Sequence, residues 1–578
     1  MSMPPLPSSI DTINPRQWQT FQPYAEELQQ RPLSPQTINQ WLADWSALIA
    51  LIQESGSMLY VKKTIDIADA DAEQAFLDFI TKVQPPASIA DQALKERLLA
   101  FDGADEAMAA METTMSLVLR DMRNEADLFR DENVPLHTQL GKMDNEYDKI
   151  TGGLTAVFDN EEKNLMQLRA LLQNKDRDTR HRAWTAMMGL WDSKRGELNQ
   201  LYSDMLGLRR RVAENAGLAD YREYAFRQYG RFSYTPADCF TFHEAIETAV
   251  VPVASRIYAK KKAQLKLDKL RPWDVTVETS DAPPLAPYRG QDDLIRHSIN
   301  IFQQVDPELG RYVSTMAEEE LLDLDTRTGK ALGGYCTTLP VRKRPFIFMN
   351  GTGQHDDVQT MLHEAGHAFH VFETADLPFI WQQDPPMEFA EVASMSMELL
   401  TAPYFSKENG GFYTPADAAR ARIEHLEGLI TFLPYMAVVD AFQHWVYTNP
   451  DAAMDSTNCD TAWDELWSRF MPDISWDGLD DVRVTGWHRK PHIFGAPFYY
   501  IEYGMAQVGA MQVWRNSLTD PAGALTAYRQ ALSLGGTKTL PELFATAGAE
   551  FRFDTDMLAG LIELVEQTIA ELEQVSNK

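Results

Sequence analysis

Two histidines four residues apart, with a glutamate beside the first, are the residues of this chain best suited by type and spacing to do chemistry: His363-Glu364-Ala365-Gly366-His367. On a helix, residues four apart lie one turn apart on the same face. Two imidazoles so placed can grip one zinc ion, and Glu364 stands where it can reach a water on that ion. Zinc lowers the pKa of the water and the carboxylate removes its proton, which is the chemistry of peptide hydrolysis. Acidic residues before the pair, and Met361, Leu362, Ala365, Phe369 and Phe372 around it, supply a helix start and apolar packing. Glu364-x-x-His367 also reads as half of a di-iron site in a helix bundle, which needs a second Glu-x-x-His. None of the other eleven histidines has a glutamate three positions before it.

Catalytic zinc takes three protein ligands and keeps a position open. Downstream, the segment PPMEFAEVASMSMELL opens with a Pro-Pro break and then reads as a helix bearing Glu388, Glu391 and Glu398. Glu391 is the best third ligand, because Ala390, Ala393 and Ser394 beside it permit close helix approach. Glu398, seven residues on, shares its face and is placed to orient a ligand from behind. His370 lies too far along a straight helix to join the same ion and is expected to pack in the core or behind the ligands.

A second constellation lies in WHRKPHIFGAPFYYIEYGMAQ, which holds His488, His492, Tyr499, Tyr500 and Tyr503. A turn precedes a helix expected from about Pro497, on which Tyr499 and Tyr503, or Tyr500 and Tyr503, share a face. Peptide hydrolysis creates an oxyanion that phenol or imidazole donors can stabilise. Aromatic core packing accounts equally well for the tyrosines by spacing alone.

The elements that must position these residues are mostly helices. Apolar residues at three- and four-residue spacing predict helix over 16–130 and again over 160–228, the second stretch including one long helix with Arg209, Arg210 and Arg211 on a solvated face. Proline-rich punctuation over 271–291 predicts a loop between helical bodies. Residues 334–350 are rich in β-formers and predict two short strands, followed by a turn at 351–354 and a helix starting near Asp356. From about Leu399 the pattern is helical again, broken near 405–414, 449–460 and 472–497. No repeat or low-complexity segment is present.

Composition narrows the class. A net charge of −31 argues against nucleic acid or an anionic membrane as partner. Cys239, Cys336 and Cys459 are too few and too scattered for a disulfide scaffold, which fits a reducing compartment. The first residues lack a cationic start followed by an apolar stretch, and no apolar run reaches membrane-spanning length. The expectation is a cytoplasmic enzyme.

HEAGHAFH, then EFAEVASMSMELL, then HIFGAPFYYIEYGMAQ, in that order, resemble the oligoendopeptidase F branch of the thimet-oligopeptidase-like zinc metallopeptidases. RPWDV, RPFIFMNGTGQHDDVQTMLHEAGH and RRRVAENAGLADYREYAF add to the resemblance, which runs from about residue 150 to the C-terminus. It implies a mainly α, two-lobed helical body with a deep central channel and a small β element before the active-site helix. It also implies residues 1–150 as an N-terminal helical region forming part of a lid lobe and 151–578 as the catalytic region. His363, His367 and Glu391 match the family's zinc ligands, one ion per chain, and Glu364 its general base. His492 and the tyrosines match its donors to substrate and oxyanion, with Tyr499, Tyr500 and Tyr503 all open to that role. Short peptides are the implied substrates, and the resemblance leaves the oligomeric state open. Two other readings stay open: a carboxypeptidase or dipeptidyl carboxypeptidase, which needs a cationic group such as Arg342, Arg344 or Arg489 for the terminal carboxylate, and a non-enzymatic peptide carrier.

Overall fold

Helical patterning becomes helix along nearly the whole chain, and the named strands form two short sheets. The structure is a computed structural model that describes all residues except 1–5, 8, 110, 112–114, 280–281, 328, 332 and 577–578. The first residues, read above for targeting, therefore fall largely outside the described ones, as do two positions of the proline-rich loop. Helix α1 (Ile38–Ile65) buries Trp41, Leu42, Trp45, Leu48 and Leu51 at helical spacing. With its short neighbours it forms a small core drawn from residues between Ile10 and Met122, joined by Phe379. A larger core runs from Leu128 to Leu572 and takes in Val61.

The stretch from 160 to 228 departs from the expectation at three points. Strands β1 (Thr155–Phe158) and β2 (Glu161–Asn164) form a hairpin whose turn residues, Asp159 and Asn160, sit at φ 50° and 66°. Asp and Asn tolerate that left-handed conformation, and it matches the twist of the strands. The long helix is two, α2 (Arg177–Ser193) and α3 (Arg195–Asn215), separated at Lys194 where ψ falls to 2°. Arg209 is not on a solvated face. It is 3% exposed and donates to the Tyr447 hydroxyl at 3.0 Å and to the Phe494 carbonyl, whereas Arg210 is exposed. The fork of a guanidinium lets one buried arginine tie α3 to two distant segments.

After α4 (Pro236–Ala245) comes the second sheet, of β3 (Leu322–Asp325), β4 (Tyr335–Leu339) and β5 (Arg344–Gly351), in the order β3-β5-β4. The β4–β5 hairpin is the one expected; β3, parallel to β5, adds a strand that the spacing of residues did not suggest. The sheet feeds directly into α5 (His355–Thr374). There the Asp357 carboxylate accepts the backbone N–H groups of Thr352, Gly353 and Gln354, each at 2.8 Å, and fixes the angle at which α5 leaves the sheet.

Helix α6 (Met387–Leu400) starts at the Pro-Pro break and packs between α5 and a later helix, with α7 (Pro415–Thr448), α8 (Pro491–Gly495) and α9 (Tyr500–Ser517) completing the surroundings. The predicted start near Pro497 is delayed to Tyr500, and the break at 449–460 is only a bend carrying the short helix Pro450–Ala453. Gly366 sets the separation of α5 and α6. A Cβ there would sit 2.5 Å from Ser394 Cα and 2.6 Å from the Ala393 carbonyl oxygen, so the two backbones touch. No helix among the described residues is long and apolar enough to cross a membrane.

Candidate active site

Because α5 and α6 touch at Gly366, their facing turns bring His363, His367 and Glu391 together. One ligand atom from each lies within 4.8 Å of the others. The Nε2 atoms of His363 and His367 stand 3.3 and 3.6 Å from Glu391 Oε2. Two imidazole nitrogens and a carboxylate oxygen at these separations suit the edges of a tetrahedral zinc shell, about 3.3–3.8 Å for the usual bond lengths. The histidine side chains keep 22% and 23% of their surface exposed, so one side of the cluster is open.

The tautomers are arranged for the same purpose. His363 Nδ1 lies 2.7 Å from Glu398 Oε1, and Glu398 Oε2 lies 2.8 Å from His425 Nε2. A carboxylate on Nδ1 holds the proton there and leaves the Nε2 lone pair aimed at the cluster. Glu398 thus sits behind the ligand as its spacing suggested, while His425, on α7, was not foreseen; only a fold that brings α7 across α6 reveals it. Glu391 is itself held by Ser394 Oγ at 2.9 Å and the Tyr499 hydroxyl at 3.0 Å. Burial opposes its ionisation, but His367 and His363 outweigh burial and bring the carboxyl down to about 2. His370 is buried edge-on to Phe389, outside the cluster.

Glu364 is 8% exposed, on the same helix as the histidines. Burial, the largest influence, pushes its carboxyl up to about 7, against the pull of His363. A carboxylate poised near neutrality suits a proton shuttle.

The tyrosine segment divides. His492 packs against the rings of Tyr499, Tyr500 and Tyr503 at centroid distances of 5.8, 5.2 and 5.8 Å. Burial lowers its imidazole to about 4, so the ring is neutral, and its Nδ1 has no hydrogen-bond partner among the described residues. Tyr499 is committed to Glu391. Tyr503 packs on Tyr499 at 5.2 Å, and burial, then the charge of Glu391, raises its hydroxyl well above the usual phenol range, keeping it a donor. Tyr500 turns to Lys490, whose Nζ donates to its hydroxyl at 2.8 Å. His488 leaves the group altogether, with its Nε2 at 2.7 Å from Asn199 Oδ1.

What aims Tyr499 is the residue before it. Phe498 has φ 66°, a conformation costly for a residue with a side chain. It is held there because its N–H donates to Gln443 Oε1 at 2.7 Å and its carbonyl accepts from Arg231 at 2.6 Å. Arg231 also donates to Glu502 Oε1 at 2.6 Å, and all of these groups are buried. Elsewhere, the cationic candidates for a terminal carboxylate are engaged away from the cluster: Arg342 with Glu54 at 3.1 Å, Arg344 with Glu319 at 2.8 Å, and Arg489 on the Val482 carbonyl at 3.2 Å.

Comparison with known proteins finds relatives along most of the chain. Residues 170–562 match the family model described as peptidase family M3. The chromosomal oligoendopeptidase F of Lactococcus lactis subsp. cremoris is 22% identical over 333 residues, covering 57% of this chain and 53% of that protein. Oligopeptidase PepF of Bacillus subtilis is 22% identical over 340 residues, covering 57% and 48%. The chain thus spans about half the length of the curated relatives it matches. Among solved structures, PZ peptidase A with inhibitor 2 has a TM-score of 0.88 and 26% identity, covering 99% of this chain and 98% of that one.

Proposed function

The chain belongs to peptidase family M3, and from that premise we propose that it is a zinc-dependent oligoendopeptidase that hydrolyses internal bonds of short peptides. The observation that carries the proposal is the convergence of His363, His367 and Glu391 beside the buried Glu364, with one side open. Zinc, when bound by these three residues, supplies a Lewis acid for the scissile carbonyl and lowers the pKa of a water. Glu364 would act as base toward the attacking water and carry the proton to the leaving amine. Tyr503 donates its hydroxyl to the oxyanion, and the neutral, half-buried His492, packed against the Tyr503 ring, is the imidazole donor to substrate. Tyr499 holds Glu391 in line. Tyr500, turned to Lys490, carries no step.

In this reading residues 1–150 form part of a lid lobe over the catalytic region 151–578, limiting substrates to peptides that enter the space between, and the enzyme works in the cytoplasm. The engagement of Arg342, Arg344 and Arg489 elsewhere favours internal cleavage over release of C-terminal dipeptides. Mass spectrometry of a peptide series of graded length, free and amidated at the C-terminus, tests this. Amidated peptides are cut as well as free ones by an endopeptidase. Strict dependence on a free carboxylate, with every cut at a fixed distance from it, would sink the proposal.

A further inference from the structure

A second set of metal-ligating side chains lies in the larger core, away from the catalytic cluster. Cys239 and His243 are four apart on α4, and Asp440 and His444 are four apart on α7. Each pair therefore occupies one face of its helix, one turn apart. The helices pack together, and the two faces meet. One ligand atom each from Cys239, Asp440 and His444 lies within 4.8 Å of the others. His444 Nε2 is 3.3 Å from Asp440 Oδ2, and His243 Nε2 is 2.9 Å from the same oxygen. None of the four side chains is more than 3% exposed.

The hydrogen bonding within this group is incomplete. The contacts of His243 and His444 with Asp440 Oδ2 leave Asp440 Oδ1 and His444 Nδ1 without a hydrogen-bond partner among the described residues, although both atoms are sealed from solvent. Enclosed polar atoms without partners are costly and rare in a folded core. A water between them would satisfy some of these atoms, but it would leave a thiol, a carboxylate and an imidazole gathered at metal-ligand separations without a reason. A divalent cation accounts for the residue types as well as the distances. Thiolate, imidazole and carboxylate together are a zinc donor set.

We propose that Cys239, Asp440 and His444 hold a second, structural zinc ion, with His243 hydrogen-bonded to the Asp440 carboxylate and closing the site from the α4 side. The ion ties α4 to α7 directly behind the active-site tyrosines. His444 packs against Phe498 with ring centroids 5.1 Å apart, and the neighbouring Gln443 holds the Phe498 N–H. The sealed position implies that the metal enters during folding and exchanges slowly afterwards. The chain then carries two zinc ions rather than the single one expected from its sequence.

The test is spectroscopic and uses the full chain produced with cobalt(II) in place of zinc. Cobalt bound to thiolate gives a near-ultraviolet charge-transfer band that imidazole and carboxylate ligands do not produce. The expected result is two cobalt equivalents per chain and such a band. Cys336→Ser and Cys459→Ser keep the band, while Cys239→Ser loses it together with one equivalent. A His363→Ala/His367→Ala variant loses the other equivalent and keeps the band, which separates this site from the catalytic proposal. If Cys239→Ser does not fold, retention of the band by both other serine variants still assigns it to Cys239. Absence of the band in the parent chain, at any metal content, or its loss with Cys336 or Cys459, overturns the proposal.

Discussion

The cluster of His363, His367 and Glu391 and the cluster of Cys239, Asp440 and His444 are built by the same device and differ in their surroundings. Each combines a helical i,i+4 pair with a residue from a neighbouring helix. In the first, the two histidine side chains are 22% and 23% exposed; in the second, His444 and Asp440 are 2% and 0% exposed. The first is braced from behind, by Glu398 on His363 and by Ser394 and Tyr499 on Glu391, so that its free atoms face outward. The second is enclosed by its own helices and by rings such as Phe498 and Phe240. A metal that does chemistry needs an open position, and one that only joins helices does not. Exposure, more than ligand identity, therefore distinguishes the proposed reacting site from the proposed fastening.

The sharpest way to break this contrast is at Glu364, the proposed base of the open cluster. Glu364→Gln keeps the shape and removes the base. Turnover is expected to fall by about 10³-fold or more, with metal content unchanged. Substantial residual cleavage by this variant would remove Glu364 from the mechanism. The tyrosines come next. Tyr503→Phe is expected to lower kcat by about 10²-fold with little change in KM, the loss of one oxyanion donor. Tyr500→Phe, whose hydroxyl faces Lys490, is expected to leave kcat within a few-fold of the parent. A reversal of those two results would exchange their roles.

What the sequence disclosed follows the same division. The His363–His367 pair is local, so its spacing alone predicts a shared helix face, and Glu391 follows from the small residues that let α6 approach. The strands over 334–350 are legible from β-branched and aromatic residues between turns. The β1–β2 hairpin is hidden because its strands are four residues each and sit beside strongly helical patterning. Arg209 defeats the expectation because charge predicts exposure unless a distant segment supplies acceptors, and Tyr447 and Phe494 are distant. The same limit hides the direction of each tyrosine, which depends on the left-handed Phe498 and on Arg231, Gln443 and Lys490 from three other segments. The enclosed cluster shows it too. Cys239–His243 and Asp440–His444 are each visible as i,i+4 pairs, but only the packing of α4 on α7 joins Cys239 to His444.

Smaller effects are expected behind the ligands. Glu398→Gln keeps a hydrogen-bonding group near His363 Nδ1 but removes the charge, and should weaken zinc binding by about 10- to 100-fold, measured by competition with a chromogenic chelator. At saturating zinc, kcat should recover most of its value. An unchanged affinity would mean that the Glu398 carboxylate does not tune the ligand it touches.

The smallest expected effect is one step further out, at His425. It meets Glu398 Oε2 at 2.8 Å, while the other oxygen of that carboxylate carries His363. His425→Gln leaves Glu398 charged and still hydrogen-bonded, so His363 keeps its tautomer and its aim. Zinc affinity should shift by only a few-fold, well inside the change expected for Glu398→Gln, and kcat at saturating zinc should not move. The double variant should match Glu398→Gln alone, because His425 acts on the cluster only through that carboxylate. If the two substitutions instead add, His425 supports the open cluster by a second route, and the bracing behind His363 is broader than a single chain of contacts.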